Sequence, residues 1–258
     1  MKSVLNICVY FVLTWIAAGK SITPNFATRI AGGENVTIEE FPYHVSVEYR
    51  GRNLCGGSLI GDTVVLTVAH CVSTASPEII KVRAGTDKRE KGGVVVNVKE
   101  IHLHENFSRS GVDLSYDAAL LELSEPLSLS DKINTVELIE ENESLEVGTK
   151  GIVAGFGRTK AGGRYPSNLM KAELSTVDRK ECRDKYDENE LPVTDTMFCT
   201  STAEGKDACQ GDDGGAFLVD SKQFGIISWG WGCAREGYYE VYTSIPAIRA
   251  WINSKVNI

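Results

Sequence analysis

Apolar and polar positions alternate in short runs along most of the chain, the period-two pattern of strands that bury one face. The runs are YHVSVEY (43–49), GGSLI (56–60), VVLTVAH (64–70), VVVNVKEIHL (94–103), AALLEL (118–123), KGIVAGF (150–156), QFGIISW (223–229) and EVYTSI (240–245). Gly-rich turns separate them, and hardly any helical period shows before the end, so the pattern predicts an all-β barrel or sandwich. SIPAIRAWINSKV (244–256) is the exception: Ile245, Ile248, Trp251 and Ile252 fall on one helical face, and Pro246 suits a first turn. No repeat, low-complexity tract or linker divides the chain, and its 258 residues can form one all-β domain.

The N-terminus departs from this pattern. Residues 1–19 combine Lys2, an apolar run to Ala18 and small residues at Ala17, Ala18 and Gly19, the signature of a cleaved signal peptide. The alternative, a membrane anchor, is disfavoured because the run is short and interrupted by Asn6 and Thr14. A secreted, extracellular protein is therefore expected. Cys8 leaves with that peptide, and Cys55, Cys71, Cys182, Cys199, Cys209 and Cys233 remain, an even set suited to three disulfides. No CxxC or HxxxH spacing suggests a metal, and neither a metal nor another cofactor is expected. His102 and His104, two apart on a strand, read as a solvated face, and AGTDKREKGG (84–93) lacks spaced acidic ligands for calcium. The formal net charge is −8, and loss of residues 1–29 removes three basic residues and no acid, leaving −11. That balance argues against nucleic-acid and anionic-membrane partners. In a secreted chain the sequons at Asn35, Asn106 and Asn142 become candidate glycosylation sites.

Three separated segments carry the chemistry. LTVAHC (66–71) sets His70 at the end of an apolar strand, YDAALLEL (116–123) sets Asp117 at the start of another, and DACQGDDGGA (207–216) follows. With RIAGG (29–33) and SWGWGC (228–233), they resemble, in chain order, the chymotrypsin and trypsin family of serine proteases, over residues 29–258. The resemblance implies two six-stranded antiparallel β-barrels with the active site between them, ending in the C-terminal α-helix. It implies a short propeptide at 20–29, a peptidase domain at 30–258, and disulfides Cys55–Cys71, Cys182–Cys199 and Cys209–Cys233. Each disulfide closes a short loop, worth about 3 kcal/mol in the chain-entropy model. It further implies that cleavage after Arg29 frees the Ile30 ammonium to pair with Asp212, a buried ion pair. Gly211 and Asp213 take the oxyanion-hole positions. Asp207, Ser228, Trp229 and Gly230 belong to the substrate pocket, with Asp207 matching the acid that selects Lys or Arg in trypsins.

Two departures from the family pattern change the expectation. Where the family has its nucleophilic serine, this chain has Asp213, which has no hydroxyl proton for His70 to remove. Asp213 is expected to ion-pair with His70 and to oppose any oxyanion beside it. In EGYYEVY (236–242), Glu240 stands at a position where the family usually has glycine and should project into the pocket above Asp207, sharing a proton or a cation with it. The alternative is that the loop rearranges and Glu240 points to solvent. Tyr239 and Ala216 replace residues that are commonly proline. The combination resembles the inactivated trypsin-like paralogues of mites, relatives of the group 3 mite allergens. The expected function is that of a secreted, catalytically inactive homologue that binds other proteins, with interference with host serum proteases such as complement components implied by that resemblance. A weak trypsin-like endopeptidase cutting after Lys or Arg is the alternative, and a decoy for protease inhibitors a third reading.

Overall fold

A computed structural model describes residues 32–108, 113–202 and 205–256. The expected signal peptide (1–19), the propeptide (20–29), Arg29 and Ile30 lie outside the described residues.

After the short strand β1 (Glu34–Asn35), six strands close on one another as a barrel. They are β2 (His44–Tyr49), β3 (Arg52–Gly61), β4 (Val64–Thr67), β5 (Ile80–Ala84), β6 (Val94–Leu103) and β7 (Ala119–Leu123), in the order β2-β3-β4-β7-β6-β5. Closure leaves no free edge. Alternate residues fill the interior: Val45 and Val47, Ile80 and Val82, Val96 and Val98, with Leu59, Val65 and Leu121. One helical turn, α1 (Ala69–Val72), follows β4 and carries Cys71 of the Cys55–Cys71 disulfide.

The second half holds β8 (Glu137–Leu138), β9 (Lys150–Gly155), β10 (Met170–Ser175), helix α2 (Arg179–Asp187), β11 (Met197–Ser201), β12 (Ala216–Val219), β13 (Lys222–Gly230), β14 (Tyr239–Ser244) and helix α3 (Ile245–Lys255). Its sheet runs β1-β10-β9-β12-β13-β14-β11, with β8 added beside β13. The six strands β9 to β14 therefore curl into a half-barrel whose free edges are tied by one isolated bridge, Thr176 to Thr200, rather than by a full ladder. The fold is all-β with a C-terminal helix, with the first barrel closed and the second open. Helix α3 buries Ile245, Ile248, Trp251 and Ile252 in the core of this half. That core also takes Phe41, Leu66, Val68 and Leu120 from the first half, so the two halves share one apolar interior and meet along a cleft.

Elements absent from the sequence reading are those whose pattern is short or charged. Helix α2 (RKECRDKYD) exposes its charges and buries only Cys182 and Tyr186, four apart, with Asp178 capping the Glu181 N–H. Strand β10 buries Met170, Ala172 and Leu174 between Lys171 and Glu173. The histidines also differ from expectation. His104 is buried, stacked on Tyr116 and tilted against Trp251, because the chain turns inward after β6. His102 stays on the outer face between Glu100 and Glu122, and Lys99 Nζ already pairs with Glu122. All three sequon asparagines, Asn35, Asn106 and Asn142, are exposed. No helix among the described residues is long and apolar enough to cross a membrane.

Candidate active site

The cleft is built from strand ends. Strand β4 runs into α1 and delivers His70 to its edge, while Asp117, just ahead of β7, is fully buried. The Asp117 carboxylate accepts three hydrogen bonds: from the His70 backbone N–H (2.8 Å), from His70 Nδ1–H (2.7 Å) and from the Ser228 hydroxyl (2.7 Å). Donation from Nδ1 fixes the imidazole tautomer, leaving Nε2 as the basic nitrogen of the neutral ring. Burial pulls the His70 pKa down, but the hydrogen bond and charge of Asp117 and the charge of Asp213 outweigh it, so the net shift is upward.

The opposite wall is the 207–216 loop, shaped by its glycines. Gly211 and Gly214 sit at φ +98° and +87°, and a side chain at Gly214 would collide with the Gly56 carbonyl and the Thr67 hydroxyl. The Cys209–Cys233 disulfide anchors the loop to the far wall of the cleft, and all three disulfides pair as the family resemblance implies. Asp213 stands on this loop, half-buried, but forms no ion pair with His70, contrary to expectation. Its carboxylate accepts from the Gly211 N–H (3.3 Å) and acts on His70 through its charge alone, while His70 Nε2 lies 3.4 Å from the Cys71 sulfur. The physical reason is local: a backbone donor two residues away lies within reach of the short Asp side chain. That donor is one of the two at the oxyanion-hole positions.

Asp212 is buried, its carboxylate held by the Gly157 N–H (2.7 Å) and the Cys209 N–H (3.1 Å). Burial lifts its pKa to about 7 against those two donors, with help from the charges of Asp213 and Asp207. Its expected partner, Ile30, lies outside the described residues.

A cavity of about 230 Å³ opens between these walls, bordered by His70, Asp213, Ser228, Trp229, Gly230 and Glu240 among others. Asp207 does not reach it. Strand pairing sets Glu240 opposite Gly230, and an added Cβ at Gly230 would fall on Glu240 Oε2, so the Glu240 side chain lies across the pocket. Glu240 is 4 % exposed and Asp207 2 %. Asp207 accepts from the Ala234 N–H (2.7 Å), and its carboxyl is within hydrogen-bonding reach of that of Glu240, so that one proton can be shared between the two. Burial raises the Asp207 pKa to about 7, and burial, followed by repulsion from Asp207, Asp213 and Asp212, raises that of Glu240 well above the usual carboxylate range. Two residues missed in the sequence complete this wall. Leu114 borders the cavity, and the Tyr186 hydroxyl donates to the Tyr239 carbonyl and accepts from the Trp231 N–H. The i, i+4 pair Cys182–Tyr186 was the signal for the second.

A pH dependence of stability follows from these carboxyls. Because their folded pKa values are raised, the folded chain holds protons that the unfolded chain has released from about pH 4 upward. Their contribution is fullest below the unfolded values and is lost as pH rises through about 7. Thermal denaturation from pH 5 to 8 should show Glu240→Gln becoming progressively more stable than the parent, since the amide needs no proton. A gap that closes with rising pH would contradict the assignment.

Comparison with known proteins places these features in context. The family model described as Trypsin matches residues 30–252. A vitellin-degrading protease of Bombyx mori is 37% identical over 257 residues, covering 99% of this chain and 96% of its own. Trypsin alpha-4 of Lucilia cuprina is 33% identical over 254 residues, covering 98% of each chain. Among solved structures, neuropsin, a serine protease expressed in the limbic system of mouse brain, superposes with a TM-score of 0.80 at 30% identity, covering 88% of this chain and 99% of its own.

Proposed function

Because the chain belongs to the trypsin family of serine proteases, we propose that it is a secreted member that has lost catalysis and acts by binding other proteins. The observation that carries this reading is Asp213 at the nucleophile position, with its carboxylate on the Gly211 N–H. Acyl transfer needs a hydroxyl whose proton His70 can take and two free backbone donors for the developing oxyanion. Asp213 supplies no such proton, occupies one donor and places negative charge where the oxyanion would form. Glu240 across the pocket supports the same reading, because an incoming Lys or Arg side chain would have to displace it before reaching Asp207. The resemblance to inactivated mite paralogues supports a host-facing role, with serum proteases such as complement components as the partner class. Six paired cysteines suit an oxidising, extracellular setting.

A second reading, a weak endopeptidase cutting after Lys or Arg, draws on the intact His70–Asp117–Ser228 network. One assay separates the two. After cleavage at Arg29, the protein and its Asp213→Ala variant are expected to hydrolyse an arginyl ester at the same background rate. Turnover by the parent clearly above that of Asp213→Ala would favour the enzyme.

A further inference from the structure

Three loops that meet beside the cleft carry a charge opposite to that of the chain as a whole. They are the β2–β3 turn with the strand ends that flank it (49–54), most of the β5–β6 turn (86–93) and most of the β9–β10 loop (157–168). Together they hold Arg50, Arg52, Lys88, Arg89, Lys91, Arg158, Lys160 and Arg164 against only two acids, Asp87 and Glu90, in a chain of formal net charge −8.

Contacts join the loops into one face. Glu90 accepts from the Asn53 N–H (3.0 Å) and pairs with Arg52 (3.4 Å), tying the first loop to the second. Asp87 and Ser167 carbonyls accept from the Leu169 and Arg89 N–H groups (2.8 and 3.0 Å), and Lys88 Nζ donates to Asn168 (3.0 Å), tying the second to the third. Tyr165 sits under two guanidinium groups, Arg89 at 4.2 Å and Arg158 at 4.5 Å from its ring centre. Its ring also borders Gly211, so the face starts at the rim of the cleft.

The face is also apolar. Tyr49, Leu54 and Tyr165 lie on it, and Val94 and Val95 follow the second loop. These are five of the eight large hydrophobic side chains that are exposed among the described residues. Basic groups interleaved with exposed aromatic and aliphatic side chains match a polypeptide that alternates carboxylates with apolar residues. A polysaccharide sulfate would use the charges and leave the apolar surface wet.

We propose that this face is a docking surface for an acidic, partly apolar polypeptide segment of a partner protein. The inference rests on the binding reading above and adds to it the surface and the partner's chemistry. Charge complementarity selects the occupant: the molecule as a whole carries net negative charge, whereas this face carries eight basic residues against two acids.

The test uses a fluorescein-labelled peptide alternating Glu and Leu, about twelve residues and so some 40 Å when extended, and a second with Lys in place of Glu. Fluorescence anisotropy with the full chain should show binding of the Glu peptide only, weakening as salt is raised. Arg50→Glu, Lys91→Glu and Arg164→Glu together take one exposed residue from each loop, and should weaken binding at least tenfold. Lys150→Glu, Lys180→Glu and Lys222→Glu change total charge equally from elsewhere, and should leave it within about twofold. Equal loss in the two triple variants, or a heparin fragment binding this face while the Glu peptide does not, would overturn the proposal. Ester hydrolysis measured on the same samples keeps the two readings apart, since turnover would overturn the inactive reading while leaving the peptide result intact.

Discussion

Asp213→Ser combined with Glu240→Gly is expected to give cleavage after Lys and Arg, with an ester turnover at least ten-thousandfold above the parent. The size follows from triads of this type, in which loss of the serine costs about a millionfold in turnover. The hydroxyl would restore the proton that His70 must take, and removal of the carboxylate would free the Gly211 N–H for an oxyanion. Asp117 already holds the imidazole by Nδ1, which leaves Nε2 as the nitrogen to take the proton of the new hydroxyl. Asp213→Ser alone should recover little, because Glu240 still lies across the pocket in front of Asp207. Glycine at 240 removes the side chain whose Oε2 overlies Gly230 and returns Asp207 to the floor of the cavity. Kinetics on an arginyl ester, with the parent, the single and the double variant all cleaved at Arg29, decide the matter. Full activity from the single substitution would show that Glu240 does not obstruct the pocket, and no activity from the double would show that further residues were lost.

Much of this arrangement was legible because its signals are local. The eight alternating runs fall on β2, β3, β4, β6, β7, β9, β13 and β14, and the apolar face of α3 was readable from spacing alone. What escaped depends on contacts between distant segments. Strand β5 (IKVRA) and strand β12 (AFLV) are too short to stand out and owe their extended form to their barrel neighbours. Helix α2 is almost wholly charged, and only the Cys182–Cys199 disulfide and the Tyr186 hydroxyl explain why it packs here. At the site, charge alone suggested that Asp213 would face His70. The choice of Gly211 instead depends on a φ of +98° that brings the N–H round to the carboxylate, and no residue letter encodes that angle. Glu240 was recognisable as an unusual letter, whereas its position opposite Gly230 required the β13–β14 register.

Asp117→Ala is expected to destabilise the fold by about 3 kcal/mol, an effect separate from any on turnover. Asp117 is fully buried and accepts from three donors, the His70 N–H, the His70 ring and the Ser228 hydroxyl. Alanine would strand the His70 amide and the Ser228 hydroxyl without partners, and each buried unsatisfied group costs about 1–3 kcal/mol. It would also release the His70 ring, which Asp117 orients at the entrance to the cavity. Asp213→Ala should do the reverse or nearly nothing. Its carboxylate is half-buried, burial raises its pKa, and the hydrogen bond it accepts from the Gly211 N–H, at 3.3 Å, is long. Urea denaturation at pH 7 compares the two directly, and a cost below about 1 kcal/mol for Asp117→Ala would show that the network does not support the cleft. On the proposed loss of catalysis, the asymmetry gives a physical reason why the chain keeps His70 and Asp117 while the third position carries Asp213. His70 and Asp117 are bonded into the seam between the two halves, so replacing the aspartate disturbs the fold. The nucleophile position projects into the cavity, where a carboxylate can stand with a single backbone donor.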